Sequence, residues 1–130
     1  MEELIDVGRK KPELVKRRFR LTKSTDFKRV RRMGKSYAHP LIVLIAHPNE
    51  HAHSRFAVAA GRSLGNAVQR NRAKRRLREA IRPLIPVIEP GWDLLLLARR
   101  PLLSASFQQC RDALADLLKR ARLLKYPHGD

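Results

Sequence analysis

The segment Gly65–Arg82 constrains this chain more than any other, because it reads as a helix with two chemically opposed sides. At about 100° per residue, Ala73, Leu77, Ala80, Ile81 and Leu84 fall on one core-facing stripe. Asn71, Lys74, Arg75, Arg78 and Arg82 fall on a second stripe, roughly 130° away by the same geometry. Asn66 is a good N-cap, and Gln69 stands at capping-box spacing from it. Pro83 and Pro86 mark the end, since neither can donate to a continuing helical ladder. Between Arg70 and Arg82 there are seven Arg or Lys and one Glu. A solvated helix normally mixes signs to gain i,i+4 pairs, and this one forgoes them. Crowded like charge costs stability, so the pattern points to a polyanionic partner, nucleic acid first.

The rest of the composition agrees. The chain has 130 residues, enough for one domain with one core, and 43% of them are hydrophobic, which argues against a disordered basic tail. Its 29 Lys and Arg against 12 Asp and Glu give a formal net charge of +17. That excess exceeds what solubility needs and suits polyphosphate binding. A membrane-surface protein would pair basic residues with Trp, Phe and Leu on one helix, whereas the helix here offers an aliphatic stripe of core width. No run approaches the ~18 apolar residues of a membrane span, so no membrane partner is expected. The first residues carry Glu2, Glu3 and Asp6 without an apolar stretch, so no signal peptide is expected and the location reads as cytoplasmic. Cys110 stands alone, in an apolar register, as a small core residue.

Residues 1–19 read as a polar arm with basic knots at Arg9-Lys10-Lys11 and Lys16-Arg17-Arg18, either an RNA-ordered arm or a solvated tail. The domain proper runs from 20 to 125, and 126–130 is a tail. Thr22, Ser24, Thr25 and Asp26 are N-cap candidates for a short helix through Phe27, Val30 and Met33, which Gly34 would end in the αL conformation. Residues 35–39 suit a short strand, and Leu41–Ala46 a strand buried on nearly both faces. Arg55–Ala60 alternates as a strand ending at Gly61, and the polar turn before it suggests an antiparallel hairpin with the preceding strand. Trp92–Ala98 is another strand. A last helix, opening near Ser104 or Ser106 with Gln109 at capping-box spacing from Ser106, would bury Phe107, Cys110, Leu114, Leu117, Leu118 and Ala121. The expected order is αβββαβα, an α+β sandwich with one sheet and helices packed on it.

No catalytic constellation emerges. The acids, Asp26, Glu79 and Asp93 among them, are scattered. His47, His51 and His53 lie close together but in a turn without Cys, so no metal site is assigned. Gly61–Asn66 suits either a phosphate-binding loop before a helix or a tight connection, and it lacks a P-loop ending. Phe27 reads either as core or as a stacking platform for single-stranded RNA. In the second reading Arg20, Lys23, Lys28, Arg29, Arg31 and Arg32 line an electrostatic funnel beside it.

Leu64-Gly65-Asn66-Ala67-Val68-Gln69-Arg70-Asn71-Arg72-Ala73-Lys74-Arg75 resembles the signature of the bacterial ribonuclease P protein subunit, with Arg70-Asn71-Arg72 at its centre. The similarity spans about residues 19–124 and includes Arg20-Leu21, Asp26-Phe27, Gly34 and the Leu94–Arg100 strand before Pro101. The resemblance implies a protein that binds a catalytic RNA subunit and the 5′ leader of precursor tRNA. The RNA, with Mg²⁺, would carry out the hydrolysis that yields the mature 5′ end, with no catalytic residue in the protein. It implies RNA contacts from Arg62, Asn66, Arg70, Asn71, Arg72, Lys74, Arg75 and Arg78, and leader contacts from Arg20, Lys23, Phe27, Arg31 and Ile45. By the same resemblance, Arg31 stands where relatives often carry an aromatic and Ile45 where some do, so stacking is poorer and charge richer here. The resemblance also implies a left-handed crossover between parallel strands, against the usual hand. From other classes, a ribosomal or RNA-chaperone-like protein and a DNA-compacting basic protein remain alternatives.

Overall fold

A computed structural model describes residues 19–125, so the expected arm, apart from Phe19, and the tail lie outside the described residues. The order is α1 (Ser24–Met33), β1 (Lys35–Ala38), β2 (Ile42–Pro48), β3 (Arg55–Ala60), α2 (Ala67–Ile81), β4 (Trp92–Ala98) and α3 (Phe107–Arg120). That is the αβββαβα order read from the sequence. Short 3₁₀ turns at Arg62–Leu64, Arg82–Val87 and Arg100–Ser104 join the later elements.

The sheet order is β1-β2-β4-β3. The hairpin expected between β2 and β3 is therefore absent. β1 pairs with β2 antiparallel, β2 with β4 antiparallel, and β3 with β4 parallel, with Arg55 level with Asp93. Burial decides this. Leu94, Leu95 and Leu96 are all fully buried, a strand apolar on both faces that gains most from a central place. β3, with Ala57, Ala59 and Ala60, serves at the edge, where Leu21 N–H donates to Phe56 O at 2.7 Å.

The two faces are unequal. One carries Ile42, Leu44, Phe56, Leu94 and Leu96 under α2 and α3, which add Leu77, Ile81, Leu114, Leu117 and Leu118. Cys110 is buried there, and burial pushes its thiol up to about 11, so it is a core residue as expected. The other face carries Ile45 and Leu95 under Leu21 and Val30, with Phe27, Val43, Ala57, Ala59 and Leu97 only partly covered. Among the described residues the short α1 is the only helix on that face, which leaves a strip of sheet beside it open.

Caps and ends differ instructively. Asn66 and Gln69 form the reciprocal capping box, each backbone N–H bonded to the other's side chain at 2.9 Å, and Ser106 and Gln109 form another. The N-cap of α1 is Lys23, which makes no side-chain cap, so none of the expected capping side chains serves. Gly34 is not αL, since its φ is −74°. Glycine is required there because a Cβ would lie 2.6 Å from both Ile45 Cγ2 and Val30 O. Met33 is 60% exposed and Phe107 39% exposed, against expectation. Met33 sits one residue before Gly34, a turn of about 100° away from the face that meets the sheet. Phe107 is the first residue of α3 and overhangs the polar side of α2 rather than the core.

Candidate nucleic-acid interface

The interface is built on α2. Ala73, Leu77, Ala80 and Ile81 are buried, which turns Asn71, Arg72, Arg75 and Arg82 to solvent and leaves Arg70, Lys74 and Arg78 half-buried on the flanks. Arg62 is exposed on the turn before the helix. One i,i+4 pair does form, Arg75 with Glu79 at 3.4 Å, so the helix does not forgo such pairs entirely. Arg76 points the other way and donates to Ala105 O, tying α2 to the start of α3. Asn66 spends its side-chain oxygen on the cap. The Gly61–Asn66 loop bonds internally, through Leu64 N–H to Gly61 O and Gly65 N–H to Arg62 O, both at 3.1 Å. Gly65, at φ 131°, makes the turn into the helix.

Phe27 lies half-buried in a cavity of about 230 Å³ lined by Arg20, Leu21, Thr22, Phe27, Phe56, Ala57, Val58, Arg78 and Ile81. This groove runs along the outer edge of β3, where the Arg20–Leu21 segment is bridged to Phe56, and joins the α1 side of the sheet to the flank of α2. Burial first, and then the charge of Arg20, lower the guanidinium pKa of Arg78, though it stays cationic at neutral pH. Two like charges thus converge on one apolar-floored groove. Sequence placed Arg20 with Phe27 and Arg78 with the basic helix, and only the fold brings the three together. Lys23 and Arg31 are exposed on and before α1 and do not line the cavity. Ile45 is 5% exposed beneath α1, against Gly34, so it acts in packing and offers no stacking surface to a leader.

Two of the scattered acids meet after all. Arg55 donates Nε to Asp93 Oδ1 at 2.9 Å and Nη2 to Asp93 Oδ2 at 2.8 Å, while its Nη1 lies 3.3 Å from Asp26 Oδ2. Asn49 Nδ2 also donates to Asp93, at 2.8 Å, and Arg29 pairs with Asp26. The Asp93 hydrogen bond, then opposed by burial and helped by both carboxylate charges, raises the pKa of Arg55. Burial pushes the Asp26 carboxyl up, but the Arg29 hydrogen bond and the charges of Arg55 and Arg29 outweigh it and hold it below the ordinary value. The cluster fastens α1 to β3 and β4. Its sequence signal was an Asp at the head of a Leu run, a charge that burial obliges to find a partner.

Among the described residues no group of three or more His, Cys, Asp or Glu is arranged to hold a metal ion. His51 N–H bonds Asn49 Oδ1, and the His53 ring meets Phe19 edge-on at 5.3 Å. No helix among them is long and apolar enough to cross a membrane.

Known proteins share this arrangement. Residues 15–122 match the profile of the family described as Ribonuclease P. The Ribonuclease P protein component of Herpetosiphon aurantiacus is 40% identical over 104 residues, 80% of this chain and 85% of that protein. That of Listeria innocua is 35% identical over 112 residues, 85% of this chain and 94% of the other. The structure of Staphylococcus aureus RNase P protein superimposes with a TM-score of 0.74 at 32% identity, covering 82% of this chain and 97% of that one. RNase P protein from Thermotoga maritima gives 0.70 at 32% identity, covering 78% and 96%. Sequence similarity covers most of both chains in the first two comparisons and the fold most of both in the last two, and the chain therefore belongs to the ribonuclease P protein family, the protein component of an endoribonuclease that processes the 5′ end of tRNA.

Proposed function

We propose that the solvent face of α2 binds the ribonuclease P RNA subunit, and that the groove along β3 holds the 5′ leader of precursor tRNA. One observation carries the reading: Arg20, Arg78 and Phe27 share a single groove. A single strand needs a flat apolar surface for a base and cations for its phosphates. A phosphate seated between Arg20 and Arg78 would meet two guanidinium groups, the donors best matched to its oxygens. The exposed cations of α2 begin where the groove ends, so RNA subunit and substrate can lie side by side on one protein. Neutralising both polyanions lets them approach, and a leader-bearing substrate gains contacts that the leaderless product lacks.

On this reading the chemistry belongs to the RNA. Asp26 and Asp93 are bound to Arg29 and Arg55, and the described donors do not make a Mg²⁺ site, so the residues present do not fit that ion on their own. Cleavage in the cytoplasm, where precursor tRNA is made, completes the proposal.

The test is reconstitution with a bacterial ribonuclease P RNA, comparing leader-bearing and leaderless tRNA for wild type and Phe27→Ala. Removal of a stacked base should narrow the affinity gap by roughly 5- to 150-fold, the equivalent of about 1–3 kcal/mol, with the fold retained. A gap left intact while stability drops by about 3–5 kcal/mol would make Phe27 a core residue instead.

A further inference from the structure

The flank of α2 opposite the groove carries a second aromatic surface. Arg78 lines the β3 groove, but its neighbour Glu79 faces the other way, into a cleft of about 480 Å³ with Arg82, Pro83, Phe107 and Arg111. Phe107 is 39% exposed, although it holds the first position of an otherwise well-buried helix stripe. The Arg111 guanidinium lies over its ring, 6.0 Å from the centroid. Glu79 is paired with Arg75, whereas among the described residues neither Arg82 nor Arg111 has a carboxylate partner. The cleft therefore presents an aromatic face, a proline and two cations with no carboxylate partner among the described residues, beside Glu79, whose charge is met by Arg75, on a chain with a net charge of +17.

We infer that this cleft is a nucleotide-binding site for an unpaired base of the ribonuclease P RNA subunit, stacked on Phe107 with its flanking phosphates on Arg82 and Arg111. The composition matches what single strands require, a π-face beside cations. Location selects the RNA subunit over the leader. Arg75, exposed on the crest of α2, stands between Arg78 of the Phe27 groove and Glu79 of the cleft, so an RNA lying on that crest reaches Phe107 on its far side. The inference rests on the assignment of α2 to the RNA subunit, and the experiment separates the two.

Full-length wild type, Phe107→Ala, Phe107→Tyr, Arg111→Gln and Arg75→Ala are titrated with ribonuclease P RNA, and each assembled holoenzyme with leader-bearing and leaderless tRNA. Phe107→Ala should weaken RNA-subunit binding by roughly 5- to 150-fold, and Phe107→Tyr, which keeps the ring, should bind as wild type does. The leader preference of the holoenzyme should not change. RNA-subunit affinity within about twofold of wild type for Phe107→Ala, with Arg75→Ala clearly weakened, overturns the Phe107 site and leaves the α2 assignment standing. Unchanged binding by both overturns the two together. Loss of leader preference in Phe107→Ala assigns the cleft to substrate and overturns the inference as stated. Should Phe107→Ala fail to fold, Arg111→Gln with wild-type affinity for the RNA subunit overturns it equally.

Discussion

Arg55 grips Asp93 with two parallel hydrogen bonds, at 2.9 and 2.8 Å, from the heads of two strands paired in parallel. Asp93 is fully buried, and Arg55 reaches on to Asp26 in α1. The bond thus links sheet register to the position of the helix that carries Phe27. Breaking a buried pair costs about 3–5 kcal/mol when a charge is left unpaired, and since Asp26 still faces Arg55 the loss of Asp93 should fall toward the lower end of that range. We expect Asp93→Ala to lose stability on that scale in denaturant unfolding, and Arg55→Met, which also removes the charge facing both acids, to do no better. A loss below about 1 kcal/mol for Asp93→Ala would show that the pair is not a stabilising element.

The same cluster sets an acid limit. Asp26 has a folded pKa below its ordinary 3.8. The unfolded chain therefore takes up its proton first as pH falls, and the stability from Asp26 is present above 3.8 and lost as pH drops through the lower folded value. Wild type and Asp26→Asn should differ in stability at about pH 6 and converge toward about pH 2. A difference constant across that range would contradict the assignment.

The α2 face should bind through phosphates. Replacing Arg72 and Arg75, both exposed on α2, with Ala should reduce the slope of log affinity against log salt by roughly 0.7–0.9 for each phosphate no longer held. Neither residue is on the buried stripe of α2, so the thermal transition should remain cooperative. An unchanged slope in filter-binding titrations with ribonuclease P RNA would place the RNA on another face.

Gly34 should tolerate no side chain. A Cβ would lie 2.6 Å from Val30 O, which is backbone and cannot swing aside. Gly34→Ala should cost about 1–3 kcal/mol, the usual range for overpacking, and should weaken leader binding by shifting α1. Calorimetry showing wild-type or higher stability would mean that the strand after α1 adjusts freely.

Much of the architecture is local and so was legible in the chain itself. The element order, the capping boxes at Asn66 and Ser106, the buried stripe of α2 and the core position of Cys110 all follow from spacing and residue type. The basic face of α2 follows too, because seven cations in one turn-periodic segment have few other uses. Misreadings fell where a partner distant in sequence decides. Which strand lies beside β2 depends on β4, far along the chain, needing cover on both faces. Gly34 looked like a left-handed stop because the sequence does not show Ile45 packed against it.

The amino-acid sequence by itself determined that this chain forms a basic α+β domain with one helix charged on one side, because helix and strand periods act over short range. Only the tertiary structure decided that Arg20 and Arg78 would share a groove with Phe27, and that Ile45 would be covered. It also turned two isolated acids into the partners of Arg55. These outcomes depend on the order of strands in the sheet and on how little of one face α1 can cover. Both are fixed by long-range burial, which no local pattern encodes.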